Sequence, residues 1–184
     1  MSGRWRNGFS LIRPPGHHSG VKNTINGFCI FNNIAIGARY LQEKYNIKKI
    51  AILDYDIHRG DGTHFIFRED PSILFISTHR YDHGTSYPAG PEGNYDNCGV
   101  GQGKGSKLNI PLNAVCKKFK TIPEQTPGDN EYIYIYERII HPIIEEFDPE
   151  VILVSSGFDA ARFDPLGGFT ITPNGYYYMT RRLM

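Results

Sequence analysis

The sequence is poor in cysteine, and the three cysteines that it has lie far apart. Cys29, Cys98 and Cys116 are an odd number and form no CxxC pair among the 184 residues. This spacing argues against a disulfide framework and a cysteine-type zinc finger, and it favours a reducing compartment. If the protein binds a metal, we therefore expect aspartate and histidine ligands.

Long apolar runs and an excess of one charge are also missing. No apolar stretch approaches the ~18 residues of a membrane span, and the formal net charge is only +1. A near-neutral chain has no electrostatic footprint for nucleic acid or for an anionic membrane surface. We therefore expect no direct nucleic-acid partner and no membrane partner.

Short apolar segments alternate along the chain between helical and extended patterns. The periodicity predicts helices over residues 31–45, 61–68, 131–147 and 173–184. Buried strands are predicted over residues 48–54, 72–78, 107–112 and 151–155. Because strands separated by helices favour parallel pairing, the predicted fold class is α/β, a three-layer α/β/α domain around a mostly parallel sheet.

The connecting segments carry their own signals. A long loop is predicted over 81–105, which is rich in glycine, proline, asparagine and aspartate, and a polar surface excursion over 116–130. Pro142 indicates a kink or break in the third helix, and Thr172 is the expected N-cap of the fourth. Because the chain stops inside that last helix, we expect residues 1–184 to be part of a larger domain, truncated at both ends and prone to aggregation.

The segment 54–58 (DYDIH) follows an apolar strand and places Asp54, Asp56 and His58 at alternate positions. On an extended chain these three side chains project to the same side. The carboxyl end of a parallel strand is also where open α/β sheets place their active sites. An aspartate-rich loop, in which Asp54 or Asp56 caps a turn, explains the same residues about equally well.

Adjacent histidines follow a stiff turn in the segment 13–18 (RPPGHH). Paired imidazoles close to carboxylates suit proton transfer near neutral pH, which makes His17 and His18 candidate acid–base groups. The alternative is a solvent-exposed histidine pair in a loop.

A second strand end supplies a further carboxylate, Asp159, at the end of the segment 155–159 (SSGFD). Together with Asp56 and His58 it would make a three-ligand zinc site with an open position for water, as catalytic zinc sites have. Taken alone, Asp159 would serve equally well as an N-cap for the next turn. Four other histidines are interpreted as structural: His64, His79, His83 and His141.

Several long motifs occur in order along the chain. They are RPPGHH at 13–18, GFCIFNN at 27–33, HRYDHGTSYP at 79–88 and SSGFDAARFDPLGGF at 155–169. Together they resemble the zinc-dependent histone deacetylase family, most closely its class II branch, with likeness to class IIb strongest in HRYDHGT and GFDAAR. The likeness covers nearly the whole chain and is weakest over 116–130. It implies the arginase/deacetylase-like form of the three-layer fold.

The resemblance assigns a role to each candidate in the metal and proton-transfer sites. Asp56, His58 and Asp159 match the family's zinc ligands. His18 matches the general base and acid, and His17 matches the histidine that gives mainly electrostatic support.

Two carboxylates match the residues that orient this histidine pair. Asp54 matches the partner of His17, and Asp61 falls behind His18 at a position where class II members usually have asparagine. A carboxylate there should make His18 more basic than an amide would.

The resemblance also marks the substrate tunnel and a second ion site. Gly27, Phe28 and Tyr87 match residues around the acyl-lysine tunnel, and Tyr87 stands where phenylalanine is usual. Ser77, with backbone oxygens of the segment 54–58, matches a monovalent-cation site that would hold potassium. Arg59 replaces the second histidine that usually follows the zinc ligand, and by alternation it should point away from the ligands and affect packing or the rim.

The resemblance implies zinc-dependent hydrolysis of N6-acetyl-lysine, with water activated by zinc and the histidine pair. The expected substrates are histone tails or other acetylated proteins such as tubulin. The expected partners are corepressor-type complexes that regulate chromatin and transcription, in the nucleus, the cytoplasm or both. The family's oxyanion-stabilising tyrosine lies downstream of the matched segments, and such a donor is worth about 10²–10³ in rate.

Other function classes stay open at the level of sequence. A deacetylase-like module that binds acyl-lysine or protein partners without catalysis is favoured by the missing tyrosine and by Arg59. An amidohydrolase acting on acetylpolyamines would need an acidic gatekeeper at the tunnel mouth, which the sequence does not identify. A manganese arginase-like enzyme is disfavoured, because holding two metals requires more aspartate ligands.

Overall fold

The computed structural model describes residues 6–21, 25–114 and 126–184. Four strands of this part of the chain form one sheet: β1 (Ile50–Asp54), β2 (Ile73–Arg80), β3 (Lys107–Leu112) and β4 (Val151–Ser155). The α-helices of the same ranges are α1 (Asn33–Tyr45), α2 (Asp61–Phe67), α3 (Asp129–Ile135), α4 (His141–Phe147) and α5 (Pro173–Leu183).

The strands are parallel and lie in the order β3-β2-β1-β4. The register pairs Asp54 with Ser77 on one side and with Ser155 on the other. The segments that follow β1 and β4 therefore start side by side at one edge of the sheet. Open α/β sheets bind their ligands at this edge.

Alternation along β1 sends its side chains into two separate cores. Ala51 and Leu53 pack with helices α3, α4 and α5 on one face of the sheet. Ile50 and Ile52 pack with α1 and α2 on the other face. Helices thus cover both faces of a parallel sheet, which confirms the predicted three-layer α/β/α fold.

Two of the predicted strands have the bounds that the sequence indicates, and the first helix differs by its cap. The segments 107–112 and 151–155 are β3 and β4. The helix predicted over 31–45 begins at Asn33 instead, because the Asn32 side chain accepts a hydrogen bond from the Ala35 N–H at 3.1 Å and caps it.

The helix predicted over 131–147 is not one regular helix. It starts at Asp129 and is divided by a π-helical turn at Tyr136–Ile140, where the His141 N–H bonds to the Tyr136 carbonyl. Pro142 lacks an N–H and its ring crowds the carbonyl one turn back, so the preceding turn widens. The predicted break therefore lies one turn before the proline.

Three further predictions concern the segment 116–130, the cysteines and membrane-spanning helices. Residues 116–125 of the predicted excursion lie outside the described residues, and its last residues, Asp129 and Asn130, belong to α3. Cys29 and Cys98 are free thiols, as expected, while Cys116 lies outside the described residues. No helix in the described ranges is long and apolar enough to cross a bilayer.

Candidate metal centre and active site

Backbone N–H groups of the turn after β1 hold it against the end of β4 and the segment that follows. Tyr55 N–H donates to the Ser155 carbonyl at 3.0 Å, and Ile57 N–H donates to Asp159 Oδ1 at 2.9 Å. The regular strand ends at Asp54, so Asp56 and His58 lie on this turn rather than on a strand. Parallel pairing therefore joins side chains that are about a hundred positions apart in the chain.

Asp56, His58 and Asp159 come together at this junction. His58 Nδ1 lies 3.0 Å from Asp56 Oδ1 and 2.9 Å from Asp159 Oδ2. The three potential ligand atoms all lie within 4.8 Å of one another. A tetrahedral zinc ion with ligands at about 2.0–2.2 Å keeps its donors about 3–3.5 Å apart, so this donor set fits zinc.

The electrostatics of these three residues also suit a cation. Hydrogen bonds to Asp159 and Asp56 raise the pKa of His58 to about 10. Burial works to raise the pKa of Asp56, but hydrogen bonds from His58 and the charge of His17 hold it below its usual range. The cluster thus holds two carboxylates that attract positive charge. All three side chains keep some exposure, which leaves a side open for water or substrate.

Sequence reasoning missed Gly157, which makes room for the metal cluster. A Cβ atom at this position would collide with the Asp56 carboxylate. Any larger residue would displace a predicted ligand. The signal was present in the sequence as a glycine two residues after the end of β4.

The adjacent histidines each bond to a different carboxylate. His17 Nδ1 donates to Asp54 Oδ2 at 2.9 Å, and His18 Nδ1 donates to Asp61 Oδ1 at 2.6 Å. The two rings are 4.0 Å apart, and both side chains are buried. His17 Nε2 also lies 3.6 Å from Asp56 Oδ2, so the pair borders the metal cluster. The structure thus brings together the predicted acid–base residues and the predicted metal ligands.

Burial and charge act differently on the two imidazoles. Burial lowers the pKa of His17, but Asp54, Asp56 and Asp159 outweigh it and raise that pKa to about 9. For His18, burial together with the nearby His17 lowers the pKa, although the hydrogen bond to Asp61 works in the other direction. At neutral pH, His17 therefore carries the proton and His18 is a neutral base with Nε2 free of its carboxylate partner.

Gly27 closes over the His18 ring. Its φ of +52° lies in the left-handed region, and a Cβ atom here would collide with that ring. Phe28 follows, also at positive φ, with 86% of its surface exposed.

Tyr87 reaches the site from the long loop 81–105. Its ring centroid lies 5.0 Å from that of His18 and 5.8 Å from that of His58. Its hydroxyl donates to Asn26 Oδ1 at 2.5 Å, a partner that the sequence did not indicate. Tyr87 therefore forms one wall beside the histidines, whereas Phe28 lines a surface concavity with Arg13, Pro14, Pro15 and Ile30.

Ser77, the predicted monovalent-cation ligand, is fully buried in β2 beside Asp54. The His79 ring lies between Ser77 Oγ, at 3.0 Å from Nδ1, and the Gly93 carbonyl, at 2.9 Å from Nε2. Since a carbonyl can only accept, Nε2 carries the proton and the serine hydroxyl donates to Nδ1. The Ser77 hydroxyl is therefore the donor that fixes the His79 ring.

Arg59, which was expected to affect packing or the rim, is buried. Its Nη1 donates to the Glu92 carbonyl at 2.6 Å. Asn97 and Asn109 donate to the same carbonyl, at 2.8 and 3.1 Å. Arg59 therefore connects the turn after β1 to the loop that carries Tyr87.

The chain is similar to known proteins along its whole length. The family described as "Histone deacetylase domain" matches residues 1–184. The chain is 42% identical over 178 residues to histone deacetylase 6 of Caenorhabditis elegans, covering 97% of this chain and 18% of that protein. It is also 42% identical over 183 residues to polyamine deacetylase HDAC10 of Rattus norvegicus, covering 100% of this chain and 29% of that protein.

A solved structure is similar over almost the whole chain. The HDA15 HD domain superposes with a TM-score of 0.88 at 42% identity, covering 98% of this chain and 48% of that one. The chain spans less than a third of the length of the two curated relatives above, at 18% and 29%.

Proposed function

Since this chain belongs to the histone deacetylase domain family, we propose that it hydrolyses the amide bond of N6-acetyl-lysine in histones or other proteins. One observation carries the proposal: the cluster of Asp56, His58 and Asp159 lies directly beside the buried pair His17 and His18. A metal-binding cluster next to a neutral imidazole is what metal-assisted amide hydrolysis requires.

In this proposal Asp56, His58 and Asp159 hold the zinc ion. When bound there, zinc supplies Lewis-acid activation of the acetyl carbonyl and of the attacking water. Two carboxylates and one imidazole match the donor types and the number of protein ligands in catalytic zinc sites.

His18 moves the proton. Its Nδ1–H is engaged by Asp61, so Nε2 is the atom that takes a proton from water and later gives it to the leaving lysine amine. His17 stays protonated beside Asp54 and contributes positive charge rather than proton transfer. Asp54 and Asp61 are positioning residues, because each fixes the orientation of one ring.

Gly27, Phe28 and Tyr87 form the substrate-binding part of the proposal. The Tyr87 ring beside His18 suits the uncharged stem of an acyl-lysine better than a free ammonium group. Phe28 is largely exposed and supplies apolar surface next to Gly27.

Finer assignments rest on family membership alone. We propose histone tails or other acetylated proteins such as tubulin as substrates, corepressor-type complexes as partners, and a role in chromatin and transcription regulation in the nucleus, the cytoplasm or both. A potassium ion beside Ser77 stays a prediction from the resemblance.

Acetylated polyamines are a second candidate substrate class. The relative named polyamine deacetylase HDAC10 in Rattus norvegicus is as similar to this chain, at 42% identity, as histone deacetylase 6 of Caenorhabditis elegans. Parallel assays with an acetyl-lysine peptide and an acetylated polyamine separate the two. If kcat/KM is ~10-fold or more higher for the polyamine, the substrate class is acetylated polyamines rather than acetylated proteins.

The metal ligands are tested by Asp56→Asn. We expect zinc content and hydrolysis of an acetyl-lysine peptide to be lost together, by more than the ~10–100-fold that loss of an outer-shell partner causes. Asp148→Asn is the matched control, since Asp148 is exposed and its left-handed conformation suits asparagine. Full zinc occupancy in Asp56→Asn, measured by metal analysis, would overturn the assignment of the site.

A further inference from the structure

A lysine ammonium is buried at the end of the sheet opposite to the metal cluster. Lys107 is the first residue of β3, and only 1% of its surface is exposed. Its Nζ donates to the Ile73 carbonyl at 2.7 Å, the Asp70 carbonyl at 3.0 Å and Ser106 Oγ at 2.7 Å. The Ser106 carbonyl lies 3.3 Å away as a fourth oxygen.

No carboxylate among the described residues forms an ion pair with this ammonium. The Asp70 carboxylate, whose charge acts on Lys107 through space, is instead bound to Arg39 Nη1 at 2.6 Å and accepts from Ser72 Oγ at 2.6 Å. Backbone and hydroxyl dipoles therefore solvate the charge. Burial lowers the pKa of Lys107 to about 8, although Asp70 works against this, so the group is mainly protonated at neutral pH.

Four neutral oxygens around one buried cation form the same type of ligand shell that proteins use for monovalent ions. Carbonyl oxygens replace the hydration shell of potassium in selective sites. An ammonium group carries the same charge, but this one is attached to the chain. If it is removed, the oxygens keep their inward orientation and lose their partner, which is costly for buried acceptors.

We propose that the cage formed by the carbonyls of Asp70, Ile73 and Ser106 and the hydroxyl of Ser106 is a monovalent-cation site that Lys107 occupies with its own ammonium. This corner of the fold consequently needs no ion from solution. A variant without the ammonium exposes the site, and the ligand class that it then takes is a small monovalent cation such as potassium or ammonium.

The cage also joins segments that are distant in sequence. Asp70 lies in the turn between α2 and β2 and Ile73 is the first residue of β2, whereas Lys107 starts β3. The Lys107 N–H donates to the Cys98 carbonyl at 3.3 Å, and the Val100 N–H donates to the Arg68 carbonyl at 2.9 Å. The tethered charge therefore fixes the point at which the long loop 81–105 returns to the sheet.

The test is Lys107→Ala in the full chain, with thermal unfolding measured at one ionic strength in potassium, ammonium or tetramethylammonium chloride. In tetramethylammonium, which is too large for the cage, we expect Tm to fall by roughly 5–10 °C. Potassium or ammonium should restore at least half of this loss, with a rise that depends on cation concentration. Lys104→Ala, a nearby exposed lysine, should behave like the parent chain in every salt.

The parent is measured in the same salts and its response subtracted, because a potassium ion is also predicted beside Ser77. An equal loss of Tm for Lys107→Ala in all three salts would refute the proposal. If this variant does not fold in tetramethylammonium, its refolded yield replaces Tm: a several-fold higher yield in potassium supports the cage, and equal yields refute it. Lys107→Met blocks the cage with an apolar side chain, so potassium rescue as large as in the alanine variant would also refute it.

Discussion

Two neighbouring histidines in this chain have opposite protonation states because their surroundings differ. His17 faces three carboxylates, which raise its pKa to about 9. For His18, burial and the positive charge of its neighbour lower the pKa and outweigh Asp61 and Asp56, which act in the other direction. His17 is therefore protonated at neutral pH, whereas His18 is neutral and can accept a proton. This division supports the assignment of proton transfer to His18.

At the residue scale, the prediction concerns His18→Ala. We expect hydrolysis of an acetyl-lysine peptide to fall by ~10²–10⁴, the usual contribution of a general acid–base group. Zinc content should stay at the parent level, since His18 is not a proposed ligand. His141→Gln, a partly exposed histidine paired with Glu145, is the control and should keep parent activity. If the turnover of His18→Ala stays within a few-fold of the parent, a residue other than His18 is the general base.

At the scale of elements, the site depends on parallel pairing of β1 with β4. The register opposes Asp54 to Ser155 and so places Asp159 beside the turn that carries Asp56 and His58. A slip of one residue would turn every side chain of β1 to the other face and separate the ligands. Sheet register is therefore part of the metal site.

Much of this arrangement could be predicted from the sequence, because apolar runs ending in polar groups identify strands and their carboxyl ends. The strands at 107–112 and 151–155 were predicted with the correct bounds for this reason. Contacts set by tertiary packing could not be predicted. Thr172 is the N-cap residue of α5, as predicted, but its hydroxyl makes no capping bond to the helix; it donates to Asp129 Oδ2 at 2.6 Å and joins α5 to α3. Asn26 and Gly157 likewise gained their roles only from distant partners.

The turn above the histidines gives a prediction at this scale. Gly27→Ala should reduce hydrolysis by about 10-fold or more, because a Cβ atom would push the His18 ring from its place and the left-handed φ disfavours alanine. The control is Gly37→Ala in α1, where a Cβ atom meets nothing within 4 Å. That change should keep activity and raise the free energy of unfolding by about 0.5–1 kcal/mol. Parent-like activity in Gly27→Ala would show that the turn does not fix the ring.

At the scale of the whole molecule, buried neutral histidines connect stability to pH. Burial lowers the pKa of His64 and of His79 to about 4, from 6.5. The unfolded chain therefore binds protons between pH 6.5 and 4 that the folded chain does not. The contribution of these two histidines to stability is complete above pH 6.5 and is lost as the pH drops towards 4, by about 3 kcal/mol for each group as an order of magnitude.

Urea unfolding at pH 7 and pH 5 measures this dependence. The midpoint should fall at pH 5, and His64→Gln should reduce the fall because one titrating group is gone. His83→Asn, which changes an exposed histidine in a left-handed conformation, should leave the fall unchanged. An identical pH dependence in His64→Gln and the parent would contradict the role given to this buried histidine.

In this account Asp56, His58 and Asp159 bind zinc beside His18, which acts as the base. The most direct test is to measure zinc content and acetyl-lysine hydrolysis on the same sample of purified chain. We predict about one zinc ion per chain, with turnover that a chelator removes and added zinc restores. A folded chain, shown by a cooperative melt, that binds no zinc would contradict the metal site. Stoichiometric zinc without any turnover would contradict the enzyme and leave a module that binds acyl-lysine.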